Sequence, residues 1–250
     1  MPRPPRPRSV QPRATESASA PLHATPLPWT TAGSIFLLAL ALRLIHLWQI
    51  RTATFFAVLV GDGRGYDTWA QQIAAGDWVG REVFYQAPLY PYFLGVLYAI
   101  FGHDLLVVRV VQALLGSAAC VLLALAASRL FTRRTGIIAG VILAAYAPAI
   151  FFDGIIQKSV LDLFLLCLSL WIVSRLVEHP RRVGLWLGLG AAMGALSLTR
   201  ENALVFIAVL LGWALVGVPA PRTARMRRAA VFVLGLALVL VPVAARNYAV

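Results

Sequence analysis

The chain has 250 residues, of which 60% are hydrophobic and only 13% charged, with a mean hydropathy of +0.79. That composition excludes an ordinary soluble domain, in which about a quarter of the residues are charged. A net charge of +12 would suit a nucleic-acid binder, but the basic residues fall between apolar runs instead of forming one face, so they read as signals of membrane orientation, with no nucleic-acid partner.

In chain order, residues 1–30 are rich in Pro, Arg, Ser and Ala and lack an apolar period. They predict a disordered basic cytoplasmic arm. The first apolar run, Thr31 to Ile50, is interrupted by Arg43 and His46 and is followed by no small-residue cleavage site, which predicts an uncleaved signal anchor. Residues 51–104 form the longest connector, the first outer loop. Within it Pro88 to Gly102 is apolar, and its Tyr90, Tyr92 and Tyr98 suit the headgroup level, so it is expected to lie at the interface without crossing. Further spans are predicted at Leu105 to Leu130, Gly136 to Phe152, Val160 to Leu176, Val183 to Leu198, Ala203 to Val218 and Ala229 to Ala245, each near the length that crosses a bilayer. Cys120 and Cys167 lie inside two of them as core fillers, with neither metal spacing nor a disulfide framework.

The Arg groups at Arg129/Arg133/Arg134, Arg175/Arg181/Arg182 and Arg222/Arg225/Arg227/Arg228 occupy alternate connectors, and Arg3, Arg6, Arg8 and Arg13 precede the first span. The positive-inside rule puts all four groups in the cytoplasm, and a crossing by Pro88 to Gly102 would invert that order. The fold class is therefore an all-α polytopic membrane bundle of about seven transmembrane helices over residues 31–250, with interfacial helices in its first outer loop.

Chemistry is expected at the outer end. In GDGRGYDTWAQQIAAGDW, the spacing of Tyr66, Trp69, Ala70, Ile73 and Ala74 predicts an amphipathic helix from Tyr66 onward, with Asp62 and Asp67 near its start. Its three glycines are no dinucleotide loop, because no βαβ context surrounds them, and an Asp ahead of a helix also serves as a cap. Polar residues at membrane depth are costly unless they pair or face a cavity. Asp153, Lys158 and Asp162 lie at one outer junction, Arg200, Glu201 and Asn202 at the next, and Arg246 and Asn247 end the last span. Ion pairs of Lys158 with Asp162 and of Arg200 with Glu201 would be purely structural. They would leave Asp62, Asp153 and Arg246 unpartnered.

Asp62, three residues, then Tyr66 and an interfacial helix, followed by FYQAPLYPYFLGVLYAIFG, the LTREN junction and the terminal VPVAARNY, resembles the GT-C membrane glycosyltransferases. The similarity is to the branch of the protein mannosyltransferases and the lipid A aminoarabinose transferase, over roughly Ala32 to Tyr248. The resemblance implies a polyprenyl-phosphate-sugar donor used on the outer face of a bacterial inner membrane, with a hydroxyl acceptor on protein, lipid or glycan. It implies Asp62 as the catalytic acidic residue, Asp153 as a second acid with Asp162 close by, and Arg200 as the basic residue after the fifth span. Two departures stand out. Gly63 replaces an acid that often follows the first-loop Asp, and Gln86-Ala87 replaces a Lys often found in aminoarabinose transferases. They point away from aminoarabinose and leave Lys158, Arg200 or Arg246 to hold the phosphate, with Tyr66, Asp67, Asp162 and Glu201 in support. Many relatives continue into further spans and a soluble domain, so a chain that stops after the seventh span is expected to be a partial product.

The residue types suit this chemistry by themselves. Sugar transfer from a lipid phosphate needs a carboxylate to take the acceptor's proton, and fixed positive charge where the phosphate leaves. Any metal would be a hard divalent ion, Mg or Mn, held by Asp62 and Asp153. The competing reading is a transporter with an outward-facing charged site, for which Arg43 and Arg109 are the candidate residues.

Overall fold

The computed structural model describes residues 27–217 and 219–250, and the predicted arm at 1–30 lies outside them except for its last four residues. Among the described residues every regular element is a helix. Helix α1 (Trp29–Ile50) is followed by a single turn α2 (Thr54–Ala57), then α3 (Asp62–Ala74), α4 (Leu89–Phe101), α5 (Leu105–Leu130), α6 (Arg133–Ala144), α7 (Ala147–Gly154), α8 (Ser159–Glu178) and α9 (Val183–Ser197). A 3₁₀ turn (Glu201–Ala203) leads into α10 (Leu204–Gly212), which ends in a π turn (Trp213–Gly217), and α11 (Arg222–Ala249) closes the chain.

Among the described residues, α1, α5, α8 and α11 are each long and apolar enough to cross a membrane, and α6 with α7 forms a fifth candidate bent by 50°. The predicted span from Gly136 to Phe152 is thus a broken helix. Pro148 sits in the first turn of α7 and has no N–H to donate back to the carbonyl at the end of α6. The stretches Val183–Ser197 and Glu201–Gly217 are shorter than a full span. Both still run the length of the bundle: α9 from Trp186, bonded to Pro180, to Leu198, bonded to Leu89, and α10 back to Trp213, whose ring meets Trp186 at 5.1 Å.

Close approach of backbones sets the packing. A Cβ on Gly190 would lie 2.1 Å from the carbonyl oxygen of Phe232, and one on Gly235 would lie 2.2 Å from that of Leu187, so α9 and α11 cross at mutual glycines, as helices in lipid commonly do. On α10, Leu204, Val205, Phe206 and Val209 are exposed, as suits a surface solvated by lipid tails. Helix α4 spans about 20 Å at 1.5 Å per residue, against about 30 Å of bilayer core. Both its ends stay at one end of the bundle: the Leu89 amide donates to Leu198 O at 3.2 Å, and His103 just beyond it meets Asp67 of α3 at 2.8 Å.

The interior holds charge, and each charge is partnered. Arg43 of α1 and Asp153 of α7 form an ion pair at 2.6 Å, with side chains 1% and 2% exposed. Gly116 of α5 makes the space, since a Cβ there would stand 2.0 Å from Asp153 Oδ2. The end of α7 leaves backbone carbonyls without intrahelical partners, and α5 satisfies them. Gln112 Nε2 donates to Asp153 O at 2.9 Å and Ile155 O at 2.8 Å, while Arg109 donates to Gly154 O at 3.0 Å and to Phe56 O at 2.7 Å.

Two outcomes follow from this packing. Cysteines introduced at Gln86 and His103 will be modified by an impermeant thiol reagent from the same side of the membrane, whereas labelling from opposite sides would show that α4 crosses. Replacing Asp153 by Ala strands a buried guanidinium, which costs about 3–5 kcal/mol, so the thermal transition in detergent will fall sharply. The double change Arg43→Met with Asp153→Ala will recover much of the loss, because it removes both charges.

Candidate active site

Helix α3 begins four residues earlier than its apolar spacing predicts, at Asp62 instead of Tyr66. The polar residues Asp62, Arg64 and Asp67 mask the period in its first turns. Gly61 precedes the helix at φ +57°, a conformation that L side chains rarely adopt. Gly61 is the residue at the cap position, and Asp62 makes no capping hydrogen bond. Gly63 is buried, and a Cβ there would sit 2.9 Å from Ile156 O. An acidic side chain in its place would collide with the segment between α7 and α8, which explains why none stands beside Asp62.

The inward face of α3 carries Tyr66, Asp67, Ala70 and Ile73. Tyr66 packs edge-on against Tyr90 at 5.2 Å. Burial, then the charges of Asp62 and Asp162, hold its phenol above the ordinary range, so it stays protonated beside both carboxylates. Asp67 is a clamp between helices: it accepts from Tyr98 at 2.6 Å and Gln71 at 2.8 Å and meets His103 at 2.8 Å. Burial and that same bond push the Tyr98 phenol well above its usual value, so Tyr98 remains the donor.

Asp62 is exposed and stands where three open cavities meet. The first, of about 520 Å³, is lined by Asp62, Gln157, Lys158, Ser159, Arg200, Glu201, Asn202 and Phe152. It unites four of the sequence-predicted charges, Asp62, Lys158, Arg200 and Glu201. The second, of about 570 Å³, joins Asp62 to Arg64, Thr68, Trp69, Tyr85 and Gln86. The third, of about 230 Å³, is apolar, with Phe55, Val58, Leu59, Phe151 and Ile156 around Asp62 and Gln157.

Arg200 is held at one corner. Its Nε donates to Asp162 Oδ2 at 2.5 Å, while the Arg200 side chain is 58% exposed. The partner is Asp162 of α8, not the adjacent Glu201, and Lys158 does not pair with Asp162. This leaves the outer edge of the guanidinium facing the cavity, with its orientation set from behind.

Two predicted site residues stand elsewhere. Asp153 is buried against Arg43 and lines none of the cavities around Asp62. Arg246 faces the connector between α3 and α4, where its Nε donates to Val79 O at 2.7 Å and its guanidinium lies 3.8 Å over the Phe84 ring. Asp62 and Asp153 therefore do not form a pair for a cation, and no group of three or more His, Cys, Asp or Glu among the described residues is placed to hold one. Arg43 and Arg109, the candidates for a transport site, are both committed, to Asp153 and to backbone carbonyls. Residues that sequence spacing missed are Gln157, Ser159 and Phe152 in the cationic cavity. Asp162 was expected in support, as an acid just inside a span, but paired with Lys158, whereas it anchors Arg200.

Comparison with known proteins adds one match. The model of the dolichyl-phosphate-mannose-protein mannosyltransferase family matches residues 85–246, a stretch that starts at Tyr85 beside the second cavity and takes in Lys158, Arg200 and Arg246. No curated protein and no solved structure matches the chain. With well over half of its length covered by that one family model, the chain belongs to the dolichyl-phosphate-mannose-protein mannosyltransferase family, whose members are membrane glycosyltransferases of the GT-C type.

Proposed function

We propose that this chain transfers a sugar from a polyprenyl-phosphate donor to a hydroxyl acceptor, with Asp62 as the base and Lys158 and Arg200 as the phosphate-holding groups. The observation that carries the reading is the shared cavity: an unpartnered carboxylate opens onto the same space as Lys158 and as the exposed part of the Arg200 guanidinium, whose Nε is held by Asp162. The donor's phosphate enters that cavity, and the first isoprene units follow the apolar recess formed by Phe55, Val58, Phe151 and Ile156. The acceptor hydroxyl approaches along the cavity of Thr68, Trp69 and Tyr85.

The bonds made and broken balance within this arrangement. The acceptor oxygen attacks the anomeric carbon while its proton passes to Asp62, and the bond from that carbon to the phosphate oxygen breaks with its electrons. The phosphate that leaves gains negative charge at the oxygen, where fixed cations lower the barrier most. Arg200 offers a planar fork that matches two phosphate oxygens, and Asp162 behind it keeps that fork aimed.

The site faces outward in this reading. The Arg129, Arg175 and Arg222–Arg228 groups all lie at the far end of the bundle from Asp62, because α5, α8 and α11 each join one end to the other. Positive charge marks the cytoplasmic side. This favours a reaction on the outer surface of the membrane.

Replacing Asp62 by Asn keeps shape and removes the base, so transfer from a polyprenyl-phosphate sugar by the purified protein will drop about a hundredfold or more with unchanged thermal stability. Near-normal turnover would refute the catalytic role. Arg200→Ala will raise the donor concentration needed for half-maximal rate severely, Arg200→Lys moderately, and Asp162→Asn will reproduce part of the Arg200→Lys effect. Glu201→Gln will leave the donor dependence unchanged, and a loss equal to that of Arg200→Ala would return Arg200 to a structural pair.

A further inference from the structure

The connector between α3 and α4 forms one wall of the cavity beside Asp62, through Tyr85 and Gln86. Tyr85 is 89% exposed, and its hydroxyl accepts from the adjacent Gln86 Nε2 at 2.8 Å, a bond within the connector itself. What holds the connector is the end of α11. Arg246 Nε donates to Val79 O at 2.7 Å, its Nη1 donates to Asn247 Oδ1 at 2.9 Å, and that same oxygen accepts from the Phe84 amide at 3.2 Å. The guanidinium also caps the Phe84 ring at 3.8 Å, where a cation gains from the negative face of the ring. Gly80, at φ +67°, keeps the chain close enough, since a Cβ there would lie 2.9 Å from Arg246 Nη2.

Beneath this clasp the rings continue. Phe84 meets Trp69 at 5.1 Å and Tyr92 at 6.0 Å, and the Tyr92 hydroxyl donates to Trp78 O. The connector is therefore pinned at Val79 and Phe84, one residue ahead of Tyr85. Arg246 borders an adjoining cavity of about 590 Å³ with Asp77, Arg81 and Glu82, which meets the acceptor cavity along Trp69, Gln72 and Tyr85.

We infer that Arg246 is a positioning residue: together with Asn247 it clasps the connector onto the end of the last span and so fixes Tyr85 and Gln86 as the wall of the acceptor cavity, without touching the donor phosphate. The cavity's role rests on the glycosyltransferase reading, while the clasp itself does not. Its loss frees the connector, and the wall beside Asp62 moves with it.

Two measurements on the full chain in lipid nanodiscs test this, and they separate the clasp from the enzymatic reading. Arg81 lies in the clasped connector and is a tryptic site. Arg246→Ala and Asn247→Ala will each speed cleavage after Arg81 by about tenfold, because cleavage follows the population of the opened segment, and cleavage after Arg181 at the other end will not change. Arg246→Lys, which keeps charge but loses the fork, will fall between. With a polyprenyl-phosphate sugar as donor, Arg246→Ala will lower the maximal rate while the half-saturating donor concentration stays within about twofold of the parent, in contrast to Arg200→Ala. Unchanged cleavage after Arg81 in both alanine variants overturns the clasp. A rise in half-saturating donor concentration equal to that of Arg200→Ala overturns the positioning role and makes Arg246 a phosphate ligand. Absence of transfer by the parent protein would refute the enzymatic reading and leave the cleavage result to decide the clasp.

Discussion

The structure depends on how the carbonyls at the end of α7 are satisfied. A helix end leaves its last carbonyls without intrahelical partners, and here Gln112 and Arg109 of α5 collect those of Asp153, Gly154 and Ile155. Tyr90 of α4 in turn donates to Gln112 at 2.5 Å, so that helix is tied to the same group. The next residues, Ile156 to Lys158, inherit their position from these bonds. Gly63 can lie against Ile156 O only because that oxygen is held in place, and Asp62 is one residue away. The acid at the centre of the site is thus located by a chain of contacts that begins with two polar side chains inside a span.

Charge within the bundle falls into two kinds. Arg43 with Asp153 is fully enclosed, and burial of both partners together avoids the cost that either would carry alone. Arg200 with Asp162 is enclosed on one side and open on the other, so the carboxylate orients a cation that still faces solvent. The first kind fixes where helices sit. The second kind leaves binding capacity unspent at the surface.

Much of the architecture was legible in the chain. Runs of apolar residues located the helices, with Leu105–Leu130 and the start at Val183 reproduced to the residue, because a bilayer imposes a length on any segment that crosses it. The Arg groups indicated which connectors share an end. Lys158, Arg200 and Asp62 were also readable as candidates, since charges at span ends are costly unless used. Pairing was not readable. Arg43 and Asp153 are 110 residues apart, and nothing in local spacing couples them, so Asp153 looked free and available for catalysis. Arg200 has an acid as its immediate neighbour, yet side chains at adjacent positions point apart, and its partner lies 38 residues away on α8. Arg246 sits at the same end of the bundle as Arg200 but looks toward a different connector, a distinction that depends on the rotation of α11 about its axis.

The crossing of α9 with α11 carries one more implication. Backbone lies against backbone at Gly190 and Gly235, and Trp186, Leu189, Met193, Phe232 and Leu236 are buried around that crossing. The ends of this tightly packed pair are also tied, where α9 continues into Leu198, bonded to Leu89, and α11 ends in the contacts of Arg246 and Asn247. Both of those ends rest on the same α3–α4 segment. The pair and that segment form one unit, so a displacement of the segment would be felt simultaneously where Arg200 leaves α9 and where Tyr85 borders the cavity.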